Sequence, residues 1–594
     1  MNKPKENYSI IQNFFVQRAV EILDRKTIDT YSTKVMNPYL ILNEFVDVLE
    51  MVRSETIDYD HNIPKIVEEI EYFFDREVYM EFTHFTKDYF LTELKRISKK
   101  DFESSLIAAK SLLEHNRNYE QSLFEEIKSI TNITFDSIDG QFTELKRANE
   151  IISFLFAQLL GNGFSKSFLR QRFESCFRKN NSFELNLDLY IENVTIETTK
   201  YKVVFKCLNV NSEHEEVLAR RLTMEKSIEE IYSTLYDKKK DRLNKFIKTQ
   251  LSTRYIIVEV EAKDAYMAFI KGKRNLSEDL DLFYFTHLED GLFVYPQLLV
   301  VKESEAKYWN YIPIDYVVAS KFNAGSHVFD VLTDRIKKIN ESNTIEHKSK
   351  NKINSAIRYL RLGHESKETE HKFLNYWIGL EHLFSNNSVK SSPIRNIKDY
   401  FIRLHSNNYL SRILFDAHGL INRSDVKEKL TFFDPEDYKC MVNEDLYDEI
   451  LANNISLDPL LYFRMYRLKR TLFGVDTNKK DVVTKIHFKE FIKKHQMTLE
   501  QHISRMYRIR NQIVHDAAME LNIILITSNI KYYLLFTLEK IITEFSKRDC
   551  VFKNLTEYYQ FNYFVFENRF CRKGSFDKIE DVTDYSISND QIVN

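Results

Sequence analysis

Through the first 180 residues apolar positions recur three and four apart, as in Val67-Glu-Glu-Ile-Glu-Tyr-Phe-Phe and Glu150-Ile-Ile-Ser-Phe-Leu-Phe-Ala-Gln-Leu-Leu. That spacing lines one face of a helix and predicts a helical N-terminal region. Gly161-Asn-Gly163 then interrupts the chain. Near residue 183 the period shortens to two. Leu185, Leu187, Leu189 and Ile191 alternate with polar neighbours, which predicts a half-buried strand. Further strands are predicted at Tyr201 to Cys207, Tyr255 to Val260, Leu280 to Phe285 and Leu292 to Val301, with a charged helix around Met224–Lys248 among them. From about 335 to 550 the helical period returns. Its clearest segments are Asn354–Gly363, Lys367–Ser385, Pro459–Leu472, Met497–His515 and Met519–Lys547. Residues 551–570 are dense in Phe and Tyr, and the last twenty or so are polar and expected to be loosely held. The pattern predicts a mainly α chain with a central α+β domain. Its divisions are a helical N-terminal domain (1–180), an α+β domain (181–335), a second helical domain (336–550) and an aromatic-rich segment with a tail (551–594).

Composition narrows the class. A chain of 594 residues with 43% hydrophobic and 29% charged residues can bury several ordinary cores. Only 11 Gly and 8 Pro beside 14% aromatics exclude collagen-like and low-complexity designs. The net charge of −3 means that any basic surface must be local. Five cysteines lie scattered without a CxxC spacing, as reduced thiols do. The N-terminus lacks the apolar core of a signal peptide. The greasiest stretch, Ile523 to Phe545, carries Lys531, Glu539, Lys540 and Glu544, which suits burial in protein rather than lipid. A cytoplasmic protein with no membrane span is expected.

One segment stands out chemically: Arg505-Met-Tyr-Arg508-Ile-Arg510-Asn511-Gln-Ile-Val-His515-Asp516. An Arg followed by a His after four to six residues is a weak signal, with about two or three chance matches in such a chain. Arg358…His364 and Arg412…His418 also satisfy it, but neither Arg is followed by a polar residue. Context separates Arg510 and His515 from these. Between Lys479 and Arg510 lie nine basic residues and three acidic ones, an excess that suits a polyanion and also suits a solvated helix face.

Arg510-Asn-Gln-Ile-Val-His515 on a long helix follows Lys372-Phe-Leu-Asn-Tyr-Trp377-Ile-Gly-Leu-Glu381-His-Leu-Phe384. This pair of helices, in this order, resembles the HEPN superfamily, and within it the ApeA-like HEPN proteins of bacterial anti-phage defence. The resemblance covers about residues 350–550. The long spacing between the two helices points to an insertion near Asp434–Ser456. It implies a C-terminal HEPN-type helical bundle and a metal-independent endoribonuclease acting in abortive infection from a symmetric homodimer. The implied partners are RNA, with tRNA as one candidate, and a phage-derived trigger or regulator at residues 1–335. No metal and no cofactor are implied.

The residue types suit that chemistry. RNA carries its own nucleophile, the 2′-OH. Histidine as a residue type titrates near neutrality, so His515 can act as general acid or base, while Arg510 presents a fork of donors to a phosphoryl group gaining charge. A two-fold dimer would supply an acid and a base together, leaving a 2′,3′-cyclic phosphate and a 5′-hydroxyl. On an ideal helix Arg510 and His515 stand about 140° apart, whereas Asn511 and His515 share a face. Asn511 therefore joins the catalytic set, unless His515 merely caps the helix. Glu381 is expected to hold Arg510 from behind, or to be a surface carboxylate of a good helix. Arg505, Arg508, Lys493 and Lys494 are expected to contact phosphates, and Trp377 to be core. Two other readings remain. The same bundle could be a non-catalytic dimerising scaffold for RNA or protein. Glu259-Val-Glu261-Ala-Lys263, ending an apolar strand, has the Glu-x-Lys of magnesium-dependent nucleases but lacks a preceding metal-sharing Asp. No Walker A, GxGxxG, His-Glu-x-x-His or GxSxG sequence occurs.

Overall fold

A computed structural model describes residues 4–24, 36–75, 79–98, 101–133, 138–208, 210–228, 253–286, 293–302, 307–311, 326–366, 368–385, 393–453, 458–474, 480–515 and 523–571, with 246 and 304 besides. Among the described residues the chain is mostly helical with one small antiparallel sheet. It divides into two compact units. One comprises residues 1–22, 26–158 and 317–594, and the other 23–25 and 159–316. The N-terminal and C-terminal helices thus share a unit.

The larger unit begins with α1 (Ile10–Ile22), α2 (Pro38–Arg53), α3 (Tyr59–Phe74), α4 (Lys87–Arg96), α5 (Glu103–His115), α6 (Tyr119–Ile130) and most of α7 (Ile138–Gly161). Local chemistry starts α2. Asn37 accepts from the backbone N–H of Leu40, and Pro38 occupies the first turn where no amide is needed.

In the smaller unit, α8 (Lys166–Phe177) and α9 (Phe183–Val194) precede β1 (Thr199–Leu208), α10 (Ser212–Ala219), β2 (Thr223–Glu225), β3 (Arg254–Ala262), α11 (Ala265–Thr286), β4 (Phe293–Lys302) and β5 (Lys307–Tyr311). The sheet order is β2-β3-β1-β4-β5, antiparallel throughout. Two strand expectations are overturned here. Leu185 to Ile191 is part of α9, because Ser182 caps it and Phe183, Leu187, Tyr190 and Val194 form a buried stripe at spacings of four, three and four. Leu185, one of the alternating set, is 51% exposed. Leu280 to Phe285 is the end of α11, whose Leu276, Leu280 and Phe283 pack on the sheet. Asp264 starts that helix, accepting from the amides of Tyr266 and Met267 and from both the amide and hydroxyl of Ser165. The charged helix expected around Met224–Lys248 begins instead with strand β2, and residues 229–245 lie outside the described residues.

The larger unit resumes with α12 (Ser326–Glu341), α13 (His347–Glu365), α14 (Thr369–Phe384), α15 (Ile402–Asn407), α16 (Tyr409–Asn422), α17 (Glu444–Asn453), α18 (Pro459–Phe473), α19 (Lys480–His515), α20 (Ile523–Phe545) and α21 (Leu555–Phe566). One core joins Phe373, Trp377 and Leu380 of α14, Leu499, Ile503, Met506 and Ile509 of α19, and Ile530, Leu534 and Ile541 of α20. Glycine lets α13 and α14 approach. A Cβ on Gly363 would meet the ring of Tyr376, and one on Gly379 would meet Tyr359 of α13 and Leu534 of α20. A second core is built from α16, α17 and α18 with Ile492 of α19, so the suspected insertion near 434–456 is folded at Tyr438–Val442 and α17. The aromatic segment after 551 is helix α21, and the tail from 572 lies outside the described residues. Among the described residues no helix is long and apolar enough to cross a membrane.

Candidate active-site helix

Helix α19 runs 36 residues without Gly or Pro. Its apolar stripe, Leu499, Ile503, Met506 and Ile509, is spaced four, three and three, and faces the shared core. Trp377 of α14 meets Tyr507 of α19, with ring centroids 6.1 Å apart. The two helices singled out in the sequence are therefore packed together.

Arg510 is half-buried near the end of α19 and donates from Nη1 to Oδ1 of Asn511 at 3.1 Å. Asn511 is buried. Among the described residues no carboxylate pairs with Arg510. The backbone of His515 closes α19, but its side chain lies outside the described residues.

Glu381 is placed differently from the expectation. It accepts the indole N–H of Trp377, one turn earlier on the same helix, at 2.8 Å. Trp377 is 1% exposed, and an indole N–H at such a position requires an acceptor. Glu381 thus completes the core rather than bracing Arg510.

Arg505 and Arg508 also depart from it. Arg505 is 9% exposed and gives Nε to both oxygens of Glu44, at 3.0 and 2.8 Å, and Nη2 to Glu69 at 2.9 Å. Arg508 is 4% exposed and pairs with Glu44. A guanidinium this dry must be neutralised, and α2 and α3 supply the carboxylates. In this conformation neither arginine is available to phosphate. Lys494 lies over the ring of Tyr72 at 5.0 Å, while Lys493 is exposed. Lys479 lies outside the described residues, as do the side chains of Lys480 and Lys485.

A buried imidazole cluster went unnoticed in the sequence. His405 Nδ1 lies 3.0 Å from His495 Nε2, and His405 Nε2 lies 3.4 Å from the Tyr532 hydroxyl. His502 Nδ1 lies 2.8 Å from the Tyr533 hydroxyl. Burial holds both His405 and His495 well below the ordinary histidine pKa, and nearby Arg412 adds to it. No local pattern signals this, since the residues come from α15, α19 and α20. The competing motifs also resolve. His418 reaches the Asp434 carbonyl at 2.7 Å, and Arg412 stacks over Tyr532 and Phe536. On β3, Glu259 and Glu261 stand directly opposite Lys202 and Lys200 of β1, which is cross-strand charge pairing on an exposed face. Lys263 donates to the Ile196 carbonyl. Among the described residues no three His, Cys, Asp or Glu side chains gather so as to hold a metal ion. Comparison with protein-family models, curated proteins and solved structures returns no match.

Proposed function

We propose that the chain is a metal-independent endoribonuclease of HEPN type, acting in anti-phage defence by abortive infection. His515 serves as general acid or base, and Arg510, oriented by Asn511, stabilises the phosphoryl group as the 2′-OH attacks. Two copies related by a two-fold axis supply two imidazoles to one linkage. The observation that carries this reading is the state of Arg510. Its neighbours Arg505 and Arg508 are neutralised by carboxylates, whereas among the described residues Arg510 is held by a neutral amide, which leaves its guanidinium fork open to an anion. The joint packing of the Trp377 helix with α19 supports a HEPN-type bundle. Residues 1–335 would regulate it in response to a trigger.

Arg510→Ala and His515→Ala proteins should each lose cleavage of total RNA and toxicity in cells while dimerising as the parent does. Retained cutting by both would remove these residues from the mechanism and leave the non-catalytic scaffold.

A further inference from the structure

The two buried faces of α19 differ in kind. One is apolar and enters the core. The other is charged and meets α2 and α3 within the same compact unit. There Glu44 takes both Arg505 and Arg508, and Glu69, only 1% exposed, takes Arg505. Lys65 of α3 pairs with Glu500 at 3.2 Å, and Lys494 covers Tyr72. Among Glu44, Glu69, Arg505 and Arg508 the charges cancel, so the joint is neutral while closed. Such a buried group gains little over an apolar contact, yet losing one partner strands the other in a dry place. Separation of the helices as a whole is different, because all four ions regain water together. The joint is therefore built to be shut or fully open. Two residues beyond Arg508 the same helix carries Arg510.

We propose that α2 and α3 form a removable clamp on the nuclease helix. When seated, the carboxylates of Glu44 and Glu69 occupy the donors that phosphate oxygens would otherwise take, since both anions accept the same guanidinium fork. When displaced, the clamp releases Arg505 and Arg508 as RNA-binding groups beside Arg510. Single-stranded RNA competes with the clamp for these arginines. This inference rests on the ribonuclease reading and adds control of that helix by the chain's own carboxylates.

The test uses full-length protein carrying His515→Ala, so that a labelled single-stranded RNA oligonucleotide is bound and not consumed. Adding Glu44→Gln and Glu69→Gln should tighten binding at least ~10-fold and steepen its log–log salt slope by about 1.4, the share of two phosphate contacts on a single strand. With His515 restored, cleavage in EDTA should rise by a similar factor. Unchanged affinity overturns the clamp, and His515-dependent cleavage in that case leaves the ribonuclease reading standing. A gain in affinity with no His515-dependent cleavage in any form supports the clamp and sinks the ribonuclease reading. Should the double variant fail to fold, hydrogen exchange in the His515→Ala protein decides. Bound RNA should speed exchange of amides in α2 and α3 at least ~10-fold, as local opening of these helices does. RNA bound with those amides equally protected overturns the clamp.

Discussion

Arg510 and Asn511, adjacent in the chain, are joined side chain to side chain by a 3.1 Å hydrogen bond, and the amide is buried. The guanidinium is thus held against a fixed point. Asn511→Ala should free it to sweep solvent and lower RNA cleavage by about 10- to 100-fold, with KM little changed, as misplacement of a catalytic group does. Steady-state kinetics on a defined RNA checks this. A variant as active as the parent would mean that Asn511 does not position Arg510.

Glu381 is tied to Trp377 rather than to Arg510. Glu381→Ala should leave a buried indole N–H without its acceptor and lower stability by about 1–3 kcal/mol. Glu381→Gln keeps an acceptor and should lose less. Urea midpoints measure both, and cleavage at a temperature where both are folded should be unaltered.

Arg508 should carry stability that Lys493 does not. Arg508→Ala leaves Glu44 with one cation fewer in a dry joint, and a loss of up to about 3–5 kcal/mol is expected for breaking a buried pair. Exposed Lys493→Ala should leave the melting temperature unchanged and reduce the salt slope of RNA binding by about 0.7. Calorimetry and anisotropy titrations distinguish these. The reverse pattern would place Arg508 at the surface.

The paired imidazoles of His405 and His495 set a pH dependence. Their folded pKa values lie well below the unfolded value, so the unfolded chain takes up protons first as pH falls. Stability from these rings is whole above about pH 6.5 and declines below it, by up to about 1.4 kcal/mol per pH unit for each ring. His502, Tyr532, Tyr533, Arg412 and Lys540 lie around them, and the cations Arg412 and Lys540 act in the same direction as burial. His405→Phe should flatten the fall in urea midpoint between pH 7 and pH 5 by about one ring's share. An unchanged slope would show that the rings titrate normally.

What the sequence revealed depended on range. Helices with a sustained stripe, such as those holding Phe373, Trp377 and Leu380 or Leu499, Ile503 and Met506, were legible because their period is local. The alternation of Leu185, Leu187, Leu189 and Ile191 misled because these four residues happen to fall two apart, while the Ser182 cap and the Phe183–Leu187–Tyr190–Val194 stripe decide for a helix. Strand β5, only five residues long with polar Lys307 and Asn310 among its aromatics, was missed. The basic excess on α19 was visible, but Glu44 and Glu69, more than 430 residues earlier, were not legible as its partners. Charge along a chain shows where ions are and not which of them neutralise each other.

The most direct measurement is cleavage of total RNA by purified protein in EDTA, comparing the native chain with His515→Ala and mapping the fragment ends. The expected result is cutting by the native chain alone, leaving 2′,3′-cyclic phosphate and 5′-hydroxyl termini. Cutting that survives His515→Ala, or no cutting by the Glu44→Gln/Glu69→Gln chain that retains His515, would contradict the assignment of Arg510 and His515 to RNA cleavage.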